Sequence, residues 1–240
     1  MHLCKKRGFA SGDFLSPAEE KVFLATLNAL KKENAFFFSF EGGARGCQRR
    51  VPVLLSTDYE GLSPADFSEI TPLLLKTADG LAPDHRAVLG SLMALGLKRP
   101  VLGDIAKYGE GTLLFLKDRV APYVQSELSR VGKSSIFFEE DFSLPPGFEL
   151  VYEKEELHFS VSSLRLDCLV CAICRCAREQ GADYVKKGLA SVNFEEVSQP
   201  DKKLHPGDVL SLRGYGRFEL ARELSLTKSG RVHVTVYRYV

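Results

Sequence analysis

The chain has 240 residues, 45% hydrophobic and 26% charged, which is the composition of an ordinary globular protein long enough for one or two domains. No apolar run approaches the roughly 20 residues that cross a bilayer, and the opening MHLCKKRGFA lacks the apolar stretch of a signal peptide, so a cytoplasmic protein is expected. The net charge of +1 conceals an uneven spread: residues 76–135 carry nine basic and six acidic side chains, 136–160 one and seven, and 161–240 thirteen and nine. Two modestly basic stretches flank an acidic one, but solvated surface charge gives the same pattern, so charge alone names no partner.

Ser16-Pro17-Ala18-Glu19 is a capping box with proline at the first helical position, predicting a helix over 16–32 with Val22, Phe23, Leu27 and Leu30 on its apolar face. Ala35–Phe40 and Val51–Ser56 read as strands. Between them, three glycines with Arg45, Arg49 and Arg50 predict a mobile cationic turn, suited either to a phosphate or to a plain exposed hairpin. No Gly-Lys-Ser/Thr follows, so this is no nucleotide-binding loop. Residues 1–69 form an N-terminal α/β unit on this reading.

From Ile70 the order is strand Ile70–Lys76, helix Pro83–Leu95 closed by Gly96, strands Val101–Lys107 and Thr112–Lys117, helix Asp118–Val131 closed by Gly132, and strand Ser135–Glu140. This βαββαβ order predicts a ferredoxin-like (RRM-like) domain over 70–142, an antiparallel sheet with two helices on one face. Its Thr112–Leu116 strand lacks the aromatic signature of sheets that stack RNA bases, so stacking there is not expected. His85 has no partner at metal-ligand spacing. On their own, Arg86, Lys98 and Arg99 read as solvent-facing charge. Pro145-Pro146-Gly147 and Glu153-Lys154-Glu155-Glu156 mark residues 143–160 as an acidic linker.

In the remaining segment, 161–240, Leu164, Leu169 and Ile173 recur at helical spacing while Arg165, Arg175 and Arg178 take polar positions. A second helical pattern, Ala177–Lys187, stops at Gly188, and Leu189–Asn193 alternates as a strand. GDVLSLRGYGRF is a glycine-punctuated β segment, and Val232–Tyr237 alternates as a C-terminal strand. The fold class is therefore α+β, with cations displayed on an apolar-backed helix pair. Cys168, Cys171, Cys174 and Cys176 depart from iron–sulfur spacing and read as small core residues of the first helix.

The order Arg165-Leu166-Asp167, Arg178, Lys187-Gly188, Val192-Asn193, Pro206-Gly207-Asp208 and Arg213-Gly214 resembles the alpha-L RNA-binding domain of the ribosomal-protein-S-four type. RGYGRF, FEGGARGCQRR and HRAVLGSLMALGLKRPVLGDI resemble one branch of it, the YlmH-like bacterial ribosome-associated factors of translation quality control. That resemblance covers nearly the whole chain. Ala177 and Gly181 stand where the family usually has Ser and Ala, which predicts a looser second helix. The resemblance implies a non-enzymatic factor that docks ribosomal RNA and transfer RNA at the large ribosomal subunit, beside a stalled nascent chain. Such domains read shape through phosphates. Arg165, Arg175, Arg178, Lys186 and Lys187 are then the expected phosphate contacts, with Gly188, Asn193 and Arg213 as further candidates. Gly214 and Gly216 would shape the backbone, and Arg86, Lys98 and Arg99 become RNA contacts rather than idle charge.

Arg165-Leu166-Asp167 also resembles the catalytic triplet of pseudouridine synthases, but Cys168-Leu169-Val170 follows where those enzymes carry Thr and small residues. Only about 50 residues remain beyond Asn193, too few for a catalytic domain of typical size. Asp167 reads instead as charge favourable to a helix N-terminus. No hydrolase or zinc motif is present. No catalytic residue, metal, cofactor, small-molecule substrate or membrane is expected; an RNA-modifying enzyme and a protein-interaction adaptor are the alternatives.

Overall fold

A computed structural model describes residues 8–31, 36–226 and 230–239, the side chains of 30, 31 and 222–226 excepted. It is a mixed α+β structure that divides into two compact units, Met1–Val151 and Tyr152–Val240.

The first unit opens with β1 (Phe9–Ser11), α1 (Pro17–Lys31), β2 (Phe36–Glu41) and β3 (Val51–Ser56), the strands pairing antiparallel in the order β1-β3-β2. The capping box forms: the Ser16 amide donates to Glu19 Oε2 at 2.7 Å. Leu27, Phe36 and Leu54 are buried beneath a layer of Phe23, Phe38 and Phe40. The expected helix end at 32 and strand start at Ala35 fall outside the described residues.

A five-stranded antiparallel sheet follows, built from β4 (Ile70–Thr77), β5 (Leu102–Tyr108), β6 (Gly111–Lys117), β7 (Arg130–Val131) and β8 (Ser134–Phe138) in the order β5-β6-β4-β8-β7. Two helices, α2 (His85–Ala94) and α3 (Ala121–Glu127), lie on one face, where Val88, Leu92, Ala121 and Val124 pack with Leu73, Leu75, Ile105 and Leu114. The opposite face is covered as well. Leu113, Phe115 and Lys117 are at most 1% exposed there. Lys117 Nζ donates to Ser11 Oγ and to the Ser68 carbonyl at 2.7 Å each, pinning the N-terminal strand and the loop before β4 to this sheet. Desolvation pulls the Lys117 pKa below that of an ordinary lysine, a shift that nearby Glu69 opposes.

Two expectations fail in this unit. The helix expected over Asp118–Val131 is confined to Ala121–Glu127, since Leu128 is extended and Val131 pairs with Ser134. Gly132, expected to cap that helix, sits at φ +60° in the β7–β8 hairpin turn, a position that favours glycine for the same reason. The expected mobile cationic turn, Gly42 to Arg50, is tied down instead. Asp104, 7% exposed, accepts from the amides of Gln48 at 2.6 Å and Arg49 at 2.9 Å. The Arg49 guanidinium donates to the carbonyls of Leu102, Phe14 and Arg99, and Arg50 is held in two places by Glu20.

The second unit consists of β9 (Lys154–Val161), α4 (Leu166–Cys174), α5 (Arg178–Lys186), β10 (Ala190–Val192), β11 (Glu195–Glu196), β12 (Val209–Leu212), β13 (Gly216–Leu226) and β14 (Val232–Tyr239). Its sheet is antiparallel throughout, in the order β11-β10-β12-β13-β14-β9. Helices α4 and α5 bury Leu166, Leu169, Val170 and Val185 against Leu210, Leu212, Phe218, Leu220, Val234 and Val236. Residues 154–160, expected in the linker 143–160, belong to β9 and pair with β14 along its length. Leu157, Phe159 and Val161 alternate toward the core with His158 and Ser160 between them, while Glu155 and Glu156 at the start of the strand mask that period of two.

Replacing Asp104 by Ala leaves two loop amides without their acceptor, which should cost about 2–4 kcal/mol. Asp104→Asn keeps an acceptor oxygen and should cost less. Urea unfolding measures both, and an alanine variant of wild-type stability would show that this carboxylate does not hold the loop.

Candidate nucleic-acid interface

The α4–α5 corner is held by a segment more than 30 residues further along the chain. The Leu166 and Asp167 amides, left over at the start of α4, donate to the carbonyls of Lys202 and Pro200 at 2.9 Å each, and the Leu204 amide returns to the Leu164 carbonyl. Helix α4 ends at Arg175, whose φ of +52° is the left-handed conformation that reverses the chain into α5. Gln180 Oε1 then accepts from the Ala177 amide at 3.0 Å, one half of a capping box that Ala177 has no side-chain oxygen to complete.

Gly181, expected to loosen α5, instead permits close approach. A Cβ there would lie 2.4 Å from Cys171 Sγ and 3.0 Å from the Asp167 carbonyl oxygen. The glycine makes room for the cysteine, so the helices pack tightly through this pair.

Beneath the corner lies Asp167. Its side chain is 3% exposed and accepts from Arg165 Nε at 3.0 Å, from Arg165 Nη2 at 2.8 Å and from the Cys168 amide at 2.9 Å, with Arg178 Nε at 3.8 Å. Burial alone would raise its pKa, but hydrogen bonds from Arg165 and Cys168 outweigh burial and hold the carboxyl below the ordinary aspartate range. The same pairing raises the pKa of Arg165. Asp167 is thus a buried anchor for two arginines rather than an exposed charge at a helix end.

The other candidates divide into free and committed side chains. Arg178 stands 67% exposed at the first turn of α5. Lys186 and Lys187, both exposed, lie at the opposite end of a nine-residue helix, about 13 Å away. Among the described residues, Arg175, Lys186 and Lys187 enter no ion pair. Exposed Arg213 sits at the β12–β13 hairpin tip, tied to this end of α5 because its carbonyl accepts from the Tyr184 hydroxyl at 2.5 Å. Gly188 has φ +67° and lies against Glu196. Asn193 is committed: Nδ2 donates to Asp208 Oδ1 at 2.8 Å and Oδ1 accepts from the Val209 amide at 3.0 Å, fixing the tight turn between β10 and β11. In the first unit, Arg86 and Lys98 are exposed, while half-buried Arg99 leads into β5.

Two residues that spacing did not single out join this surface. Arg231 donates to Ser160 Oγ at 3.2 Å and to the Ser160 carbonyl at 2.5 Å, and faces Arg178 across a shallow pocket of about 230 Å³. Tyr215 stands beside Arg213. The distance in sequence from Arg178 to Arg231 hid the first; the glycines flanking Tyr215 were the available signal for the second. The cysteines sit within or beside the core. Burial, with Cys176 nearby, pushes the Cys174 thiol up to about 11 and raises Cys171 too, so both stay protonated at neutral pH. Among the described residues, no group of three or more histidine, cysteine or acidic side chains is arranged to hold a metal.

Taken together, the second unit presents exposed cations on a helix pair over an antiparallel sheet. Residues 81–142 match the family model described as "Putative RNA-binding domain in YlmH". Over 231 residues the chain is 32% identical to "Ribosome-associated protein quality control protein P2" of Bacillus subtilis (strain 168), covering 94% of this chain and 86% of that protein. The chain belongs to the YlmH family. It is also similar to the solved structure "Cell division protein ylmH from Streptococcus pneumoniae", at 19% identity and a TM-score of 0.46 over 57% of this chain and 82% of that one, a likeness too low to bear on the argument.

The Asp167 pairing predicts a pH dependence of stability. A carboxyl whose folded pKa lies below its unfolded value stabilises fully above the unfolded pKa, about 4, and loses that effect as pH falls through the folded pKa. Asp167→Asn should therefore cost about 1–3 kcal/mol at pH 7, discounted because Arg165 is a third exposed to screening water. Denaturant unfolding at pH 7 and pH 3 should show the gap between variant and wild type closing in acid; a gap that widens contradicts the assignment.

Proposed function

We propose that the chain is a cytoplasmic, non-enzymatic RNA-binding factor that docks structured ribosomal RNA, with transfer RNA close by, on the large ribosomal subunit during quality control of stalled nascent chains. The observation that carries this reading is the set of exposed cations around α5, Arg175 in the turn before it, Arg178 in its first turn and Lys186 and Lys187 at its end, on a helix pair with a buried apolar core. Cations at fixed spacing on a folded support meet phosphates and so position a protein on structured RNA without reading base edges. The family relative whose name includes ribosome-associated quality control supports the same context.

On this reading the alpha-L domain, expected over 161–240, starts at 154 because β9 joins it, 70–142 is the ferredoxin-like domain and 1–69 an accessory α/β unit, while of the expected linker the residues up to Val151 pack onto the first unit, where the Leu150 amide donates to the Arg45 carbonyl. RNA contacts in the ferredoxin-like domain then come from Arg86, Lys98 and Arg99, since the sheet face that stacks bases in other such modules is filled by Leu113, Phe115 and Lys117.

Catalysis on a base is disfavoured by the position of Asp167. A catalytic aspartate must reach its substrate, whereas this carboxylate is 3% exposed and already holds three donors. Among the described residues, no helix is long and apolar enough to cross a membrane.

Binding of the full-length chain to ribosomal RNA should weaken linearly in log–log form with salt, by about 0.7–0.9 per phosphate contact. Arg178→Ala should flatten that slope by about one contact while leaving the unfolding free energy within about 0.5 kcal/mol of wild type. An unchanged slope with a large loss of stability would make Arg178 a structural residue and remove it from the interface.

A further inference from the structure

The cations explain contact with phosphates, but the β12–β13 hairpin adds a different chemistry. Its tip is Arg213-Gly214-Tyr215, closed by the Tyr215 amide donating to the Leu212 carbonyl at 2.9 Å. Tyr215 is 43% exposed. Gly214 and Gly216 flank it at φ +91° and +113°, and nothing lies within 4 Å of where a Cβ on either would stand, so the backbone of the tip is uncovered on both sides of the tyrosine.

The ring is nevertheless held in place. It meets Tyr184 of α5 in a T-shaped contact with centroids 6.1 Å apart. Tyr184 in turn grips the hairpin through the Arg213 carbonyl. A T-shaped contact occupies at most one face of an aromatic ring. The rest of the ring is open to solvent, next to exposed Arg213 in the same tip. A large aromatic surface held by Tyr184 and neighboured by a cation fits an unstacked nucleobase whose phosphate lies on that cation.

We propose that Tyr215 is a base-stacking residue, and that the ligand of this surface includes an unpaired nucleotide of the RNA rather than duplex alone. This rests on the RNA-binding reading above. It adds a preference that phosphate contacts cannot supply, because a base inside an A-form helix presents no free face.

The test compares the full-length wild type, Tyr215→Phe and Tyr215→Leu on two synthetic RNAs of equal length and charge, a stem with a seven-nucleotide flexible loop and a blunt duplex. Tyr215→Phe keeps the ring and should bind both RNAs as the wild type does. Tyr215→Leu keeps an apolar side chain without the ring and should bind the looped RNA about five- to a hundredfold more weakly, leaving the duplex affinity unchanged. Thermal unfolding of all three proteins controls for the fold. If Leu weakens both RNAs equally or neither, or if Phe is as defective as Leu, stacking is overturned while the phosphate interface stands. If the wild type binds neither RNA, the RNA-binding reading falls and this inference falls with it.

Discussion

The second unit depends on keeping one carboxylate charged while it is buried. Asp167 could not sit at 3% exposure without compensation, because an ionised acid loses its hydration there. Arg165 supplies two hydrogen bonds and the Cys168 amide a third, and Arg178 approaches from α5. The arrangement therefore ties both helices to one point. It also divides the arginines by role: Arg165 is largely spent on the anchor, whereas Arg178 touches it only at 3.8 Å and keeps most of its surface in water. On the proposed reading, phosphate is met by cations that keep their surface in water, and the anchored Arg165 steadies the helix corner that carries Arg178.

The first unit follows a different logic. Its sheet is covered on both faces, by α2 and α3 on one side and by the N-terminal segments on the other, with Lys117 as the polar pin through the second layer. Asp104 and Arg49 do the same for the glycine-rich loop, converting charges that look available in the sequence into internal fasteners. What remains for a polyanion is the exposed charge at helix ends and strand entries, not a flat aromatic sheet. The two units offer cations in different ways, one from a helix pair and one from loops beside a closed sheet.

Much of this architecture is legible in the sequence, where local signals suffice. The capping box at Ser16, the apolar run Val51–Ser56 and the alternation in Val232–Tyr237 each depend on neighbouring residues, and each appears as a helix or strand near its expected bounds. The failures arise where distant contacts decide. Leu128 and Val131 fit a helical period, but pairing of Val131 with Ser134 takes them out of the helix. The acids of β9 conceal a strand that only its partner β14 reveals. Asp167 does lie in the first turn of α4 as its sequence position implies, but its burial is hidden because the segment that meets it, Pro200 to Leu204, is more than 30 residues away. Asn193 illustrates the same limit: a residue singled out for RNA is spent on Asp208 and the Val209 amide. Charges on exposed helix positions are visible in a sequence, but whether a given charge is already paired is a tertiary fact.

The central claim is that the α4–α5 corner and its adjoining hairpin form the principal RNA surface. Ultraviolet crosslinking of the full-length chain to ribosomes, followed by mass spectrometry of the crosslinked peptides, locates that surface residue by residue. The account predicts crosslinks concentrated in 165–188 and 213–217, with weaker ones near Arg86 and Lys98. Crosslinks confined to residues 81–142, with none in the second unit, would contradict it.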